Sequence, residues 1–349
     1  MTEQKSYLTN SPAAASELAG AWVVSDGAAG NERQALALAA AMQLAPTQLR
    51  LDLRAPWSWF APRVTAGSHL ALPAAMRARL TPPWPALAIG CGRQAALFTR
   101  LLREGSGGKT FAVQILDPRI DPGHFDLVIA PRHDELSGNN VIQSLGALNP
   151  VDEAWLAHGL AEFSTLQQLP RPRTALLVGG PRRGLGLDGA WFDTLLARVA
   201  TMVARDNGSL MIASSRRTPQ AWRARLHGVL RDGCTHLWNG AQDGINPYQG
   251  YLAAADRIVV TPDSVNMLSE ACAVGKPVFT LLPARARGRL CAFHAELRAQ
   301  DWLHELDDNV DFSTLRQPPP LRELAVVAGK VWHTIEATRP DVAVALGSA

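Results

Sequence analysis

The sequence is 349 residues long, 47% hydrophobic and 19% charged, which is enough apolar material for sizeable cores and excludes a disordered chain. At about 150 residues per domain the length predicts two domains. Thirty-four basic residues against thirty-one acidic ones leave +3. Read as an excess spread along the whole chain, that charge argues against nucleic acid as a partner.

Cys91, Cys234, Cys272 and Cys291 show no CxxC spacing and are expected to be free thiols rather than zinc ligands. Residues 1–20 contain acidic side chains and no continuous apolar run, so no secretory signal is expected. No stretch approaches the ~20 apolar residues of a membrane span. A cytoplasmic protein is expected, peripheral at the inner membrane at most.

Along the chain, short apolar runs alternate with helical patterns. AWVVSDG (21–27) predicts a strand and turn, followed by an Ala/Leu helix over 31–44 with Asn31 as its N-cap. Strands are expected at 47–53, 86–92, 110–116 and 125–131, with a helix at 93–103. Periodicity fails over 164–174, where Pro170 and Pro172 mark a linker. The pattern then restarts with strands at 174–180, 209–215, 235–240, 256–262 and 276–282 and helices at 190–208, 219–231 and 264–275. After the break QPPPL (317–321) a last helix covers 322–339.

Such alternation predicts an α/β protein with two Rossmann-like domains facing a central cleft. They divide as 1–165, 174–316 and a C-terminal helix at 321–339 that packs back on the first domain. Ligands of open parallel sheets bind beyond the carboxyl ends of the strands, so those loops hold the candidate chemistry.

In the first loop, SDGAAGN (25–31), Gly27 and Gly30 permit tight turns beside a helix start, and Asp26 offers a strand-end carboxylate as a general base. Asn31 completes this candidate site. The alternative is that Asp26 only caps its turn. In PRHDELSGNN (131–140), His133 is a second candidate base beside Asp134, the alternative being a solvated loop histidine. In GGPRRGLG (179–186), Gly179 and Gly180 are expected to turn backbone N–H groups toward a ligand, and Arg182 and Arg183 to meet phosphate oxygens. Ser214, Ser215, Arg216, Arg217 and Thr218 end the next strand on the same rim. Two arginine-bearing loops at neighbouring strand ends suit a diphosphate.

The stretch 256–279 carries the most pattern. A strand delivers Asp263 and Ser264 to a helix start, where a phosphate would be favoured. Glu270 follows six residues later, and a carboxylate there can accept from both hydroxyls of a ribose.

This stretch, with Glu270-Ala271 and Gly275-Lys276-Pro277, resembles the EAxxxGxP donor-site unit of GT-B-fold glycosyltransferases. Together with residues 22–39, 130–141 and 214–219 it also resembles the mitochondrial-fission Elm family, whose plant member is associated with recruiting a dynamin-like protein. The resemblance implies that Glu270 binds the donor ribose, and that Gly179, Gly180 and Ser264 contact the diphosphate. It assigns no base. Asp307-Asp308 lacks the spacing of a DxD metal motif, so no metal and no cofactor are expected.

The reading is a metal-independent glycosyltransferase moving a sugar from a nucleotide-diphosphate sugar to an unknown, lipid-linked acceptor of cell-envelope synthesis. The alternatives are a recruitment module without turnover and a sugar-nucleotide epimerase.

Overall fold

The computed structural model describes residue 18 and residues 20–230, 233–284, 286–307 and 318–347. Residues 1–17, Arg231, Asp308 and Gln317, which entered the sequence reading, lie outside the described residues.

The first half contains β1 (Ala21–Ser25), α1 (Ala29–Ala41), β2 (Thr47–Arg50), α2 (Trp57–Phe60), α3 (Ala74–Arg77), β3 (Leu87–Cys91), α4 (Arg93–Gly105), β4 (Phe111–Ile115), β5 (Leu127–Pro131) and β6 (Val141–Ser144). After α5 (Glu153–Glu162), the second half contains β7 (Arg173–Val178), α6 (Gly189–Arg205), β8 (Ser209–Ser214), α7 (Gln220–Leu226), β9 (Thr235–Trp238), α8 (Tyr248–Ala254), β10 (Arg257–Val260), α9 (Val265–Ala273), β11 (Val278–Thr280), α10 (Arg289–Ala299) and β12 (His304–Glu305). Helices α11 (Leu324–Thr338) and α12 (Pro340–Ala345) follow.

Two parallel six-stranded sheets result, ordered β2-β1-β3-β4-β5-β6 and β12-β11-β10-β7-β8-β9. Strands β1, β3 and β4 of the first sheet and β8 and β10 of the second are buried at every position, as parallel strands covered on both faces must be. Register stacks apolar residues across each sheet, Val23 opposite Ile89 and Ile89 opposite Val113 in the first, and Ile212 and Val259 flanking Leu176 in the second. Strand order reverses between β1 and β3 and between β7 and β10, and such switch points open crevices at the carboxyl ends of the strands.

Helix α1 begins at Ala29 with Ala28 as N-cap, so the expected N-cap role of Asn31 is wrong. Gly27, at φ +75°, turns the chain early enough that Asn31 falls inside the first helical turn. Helix α5 packs with the second sheet, its Trp155, Leu156 and Leu160 lying against the core that holds Leu176 and Tyr251. The boundary expected at 165 comes after this helix. Val327, Ala328, Val331 and Ile335 of α11 are buried in the first half's core beside Val23, Leu38 and Ile89. All four cysteines are free, with Cys91 and Cys272 buried.

Candidate functional site

Three loops of the second half meet at the carboxyl ends of β7, β8 and β10. Asp263 is their centre. It is fully buried, accepts from the Gly180 N–H at 3.1 Å and the Thr261 hydroxyl at 2.7 Å, and pairs with Arg217 at 2.7 Å. Its main-chain carbonyl accepts from Arg182 at 2.9 Å. Thr218 donates to the Gly179 carbonyl, and the Ser215 hydroxyl accepts from the Arg217 N–H. Ser214 accepts from Arg223. Thr261 also accepts from the Gly179 N–H at 2.7 Å.

The N–H groups of Gly179 and Gly180, expected to face a ligand, are thus satisfied within the protein. Both glycines are required by proximity, since a Cβ at Gly179 would lie 2.2 Å from the Asp263 carboxylate and one at Gly180 2.2 Å from the Arg217 carbonyl. What the rim does expose is cationic: Arg182, Arg183, Arg216 and Arg217 all reach solvent. Ser264 caps α9 through the Met267 N–H, and the helix start lies beside Asp263.

Glu270 is buried, with 6% of its side chain exposed, and is fully engaged. Arg33 of α1 pairs with it at 2.7 Å, and the Tyr248 hydroxyl donates to its other oxygen at 2.5 Å. The Arg33 guanidinium also stands 5.9 Å over the Tyr248 ring. Burial pushes the Glu270 carboxyl up despite the cation beside it, while the Glu270 charge raises Arg33. Gln34 donates to Asn266 at 3.3 Å, and a Cβ on Gly30 would meet the Asn266 amide at 2.0 Å. The first half's Gly-rich loop therefore sits directly on the start of α9.

Asp26 accepts from the Ala28 N–H at 3.1 Å and from the Asn31 amide at 3.1 Å. It lies at the switch point of the first sheet, where a Cβ on Gly92 would approach both Asp26 and Asn31. His133 follows β5, three strands away from β1, a separation of roughly 14 Å at ordinary strand spacing. The two candidate bases are not brought together. His133 instead meets the second half: its ring centroid is 5.0 Å from that of Phe293 on α10. Burial lowers its pKa, opposed by Asp134 and Glu296. Asp134 pairs with Arg289 of α10 at 3.2 Å. Beside Phe293, His294 is buried at 1% exposure and pushed down to about 4 by burial, with the Pro262 carbonyl opposing and His133 and Arg182 adding to the depression.

Arg33, Tyr248, Asn266 and His294 escaped the sequence reading. Arg33 and Asn266 lay within the stretches 22–39 and 256–279, and nothing in a sequence indicates a pair 237 positions apart. Among the described residues no group of three His, Cys, Asp or Glu is placed to hold a metal ion.

The mitochondrial fission ELM1 family model matches residues 29–335, which includes the three strand-end loops of the second half, His133 and Arg33. The chain belongs to that family. It is 30% identical to the mitochondrial fission protein ELM1 of Arabidopsis thaliana over 72% of its own length, and the match spans 64% of the plant protein, less than two thirds of it. Its fold resembles that of the UDP-GlcNAc 2-epimerase from Methanocaldococcus jannaschii, with a TM-score of 0.53 at 12% identity, covering 89% of this chain and 91% of that one. The glycotransferase of kitacinnamycin matches with a TM-score of 0.50 at 14% identity, covering 95% and 96% of the two chains. This member of the ELM1 family therefore has a GT-B-like architecture. No helix among its described residues is long and apolar enough to cross a membrane.

Proposed function

We propose that this ELM1-family chain is a glycosyltransferase that takes a nucleotide-diphosphate sugar in its second half and an acceptor hydroxyl in its first. The observation that carries the reading is the convergence of Arg182, Arg216 and Arg217 with the start of α9 on one strand-end rim. Guanidinium groups and a helix N-terminus stabilise a departing diphosphate without a metal, because they supply fixed positive potential where charge develops. Glu270 is the ribose ligand in this reading, released from Arg33 when the nucleotide arrives. Asp26 or His133 deprotonates the acceptor. A lipid-linked acceptor of envelope synthesis fits an enzyme that works peripherally at the inner membrane from the cytoplasmic side.

A thermal-shift panel of UDP, GDP, ADP, CMP and their sugars tests the reading, since a ligand that binds only the folded state must stabilise it. No shift with any of them at millimolar concentration overturns it. One observation favours a second reading, a recruitment module that keeps the shell without turnover. Glu270 already has both oxygens engaged, by Arg33 and Tyr248.

A further inference from the structure

Trp59, Phe60, Val64 and Leu70 are 71%, 54%, 41% and 55% exposed, and all four come from the connection between β2 and β3. That connection is anchored from below. Leu51, Leu53, Ala61, Ala71 and Leu72 are buried in a core shared with α4. Single exposed apolar side chains are ordinary, but four between positions 59 and 70 are a local concentration.

The same stretch departs from the even charge distribution expected of the chain. From Leu53 to Arg103 the sequence contains seven arginines and neither aspartate nor glutamate, so the remainder of the chain is net acidic. Arg100 and Arg103 find partners in Glu104 and Asp126. Arg54, Arg63 and Arg77 are exposed and make no ion pair among the described residues.

We infer that the 54–77 segment docks the protein on an anionic phospholipid surface, Trp59, Phe60, Val64 and Leu70 entering the headgroup layer while Arg54, Arg63 and Arg77 meet lipid phosphates. Indole and phenyl rings prefer that layer, aliphatic side chains gain by leaving water, and each surface arginine is attracted by the negative potential. A nucleic acid would use the arginines and stack on Trp59, but would leave Val64 and Leu70 in water. The segment leaves the sheet at the carboxyl end of β2, on the rim that holds Asp26, and is tied to α4 where the Leu53 N–H donates to Gln94 at 3.1 Å. A docked bilayer would lie beside the first half's side of the cleft. The inference gives the peripheral membrane contact of the proposed function its surface, yet it rests on exposure and charge and does not require turnover.

The test is co-sedimentation of the full-length protein with vesicles of phosphatidylcholine alone or mixed with phosphatidylglycerol, alongside a UDP thermal shift on the same samples. Binding should require phosphatidylglycerol. The variants Trp59→Ser/Phe60→Ser and Arg54→Glu/Arg63→Glu should each weaken it about tenfold or more, with unchanged melting temperature because the replaced side chains are exposed. No binding to mixed vesicles, or binding that both variants retain, overturns the inference. So does loss of vesicle binding in favour of an oligonucleotide competitor. A missing UDP shift in a protein that still binds vesicles counts against the sugar-transfer reading alone and supports docking as an independent property.

Discussion

The Arg33 guanidinium and the Glu270 carboxylate, 237 positions apart in the chain, stand 2.7 Å from one another and join the two halves of the molecule. Tyr248 holds the second carboxylate oxygen. Under the proposed function a ribose would bind to Glu270, so clasp and nucleotide would compete for the same two oxygens.

Removing Arg33 leaves a buried carboxylate without its cation. Because half of the Arg33 side chain is in solvent, Arg33→Ala should cost only about 1–2 kcal/mol. A double-mutant cycle with Glu270→Gln in urea should give a coupling of roughly 1 kcal/mol or more. Under the proposed function Arg33→Ala also tightens nucleotide binding several-fold by calorimetry. Weaker binding would make Arg33 a ligand contact instead of a competitor.

Gly179→Ala should be among the costly single substitutions. The new Cβ would sit 2.2 Å from the buried Asp263 carboxylate, which is held in turn by Thr261, Gly180 and Arg217 and has nowhere to move. A loss of roughly 2–4 kcal/mol in denaturant titration is expected. Gly27→Ala is the comparison: nothing lies within 4 Å of its Cβ, and only its φ of +75° opposes it, at about 1 kcal/mol.

Acid should weaken the fold through His294. Its folded pKa, about 4, lies below the ordinary histidine value, so the unfolded chain takes up the proton first as pH falls. Stability from this group is complete above pH ~6.5 and declines toward pH ~4, by on the order of 3 kcal/mol in all. His133, also lowered by burial, acts in the same direction. Melting curves of His294→Phe between pH 4 and 7 should show a shallower slope than the parent. An identical slope would exclude His294 as the source.

If a donor is found, Asp26→Asn should lower turnover by about a hundredfold or more with little change in donor affinity, as loss of a base acting in the transition state does. His133→Ala is the competing variant. Near-normal turnover in both would remove both from the base role, whereas lost donor binding would make them positioning residues.

The two-sheet architecture was legible because parallel strands buried on both faces read as apolar runs, and TALLV and RIVV could hardly be anything else. The strand-end loops were legible for the same reason. Their internal bonding was not. Gly179 and Gly180 read as ligand-facing because a sequence cannot show that Asp263 and Thr261, more than eighty residues on, have already taken their N–H groups. Asn31 read as a cap because asparagine favours caps, yet Gly27 started the helix two residues earlier. Glu270 read as a helical carboxylate awaiting a ligand, and only the folded chain supplies Arg33 and Tyr248.

Helix α11 closes the first half's core with residues made after every strand of both sheets. A nascent chain leaving the ribosome presents β1 to β6 long before Val327, Val331 and Ile335 exist to cover them, while every strand of the second sheet is already complete. Synthesis order is therefore inverted in folding order: the second half can finish first, and the first must wait, with apolar surface uncovered, until α11 has been made. A fragment ending before Leu324 should consequently expose that surface permanently and be recovered as aggregate or bound to chaperone.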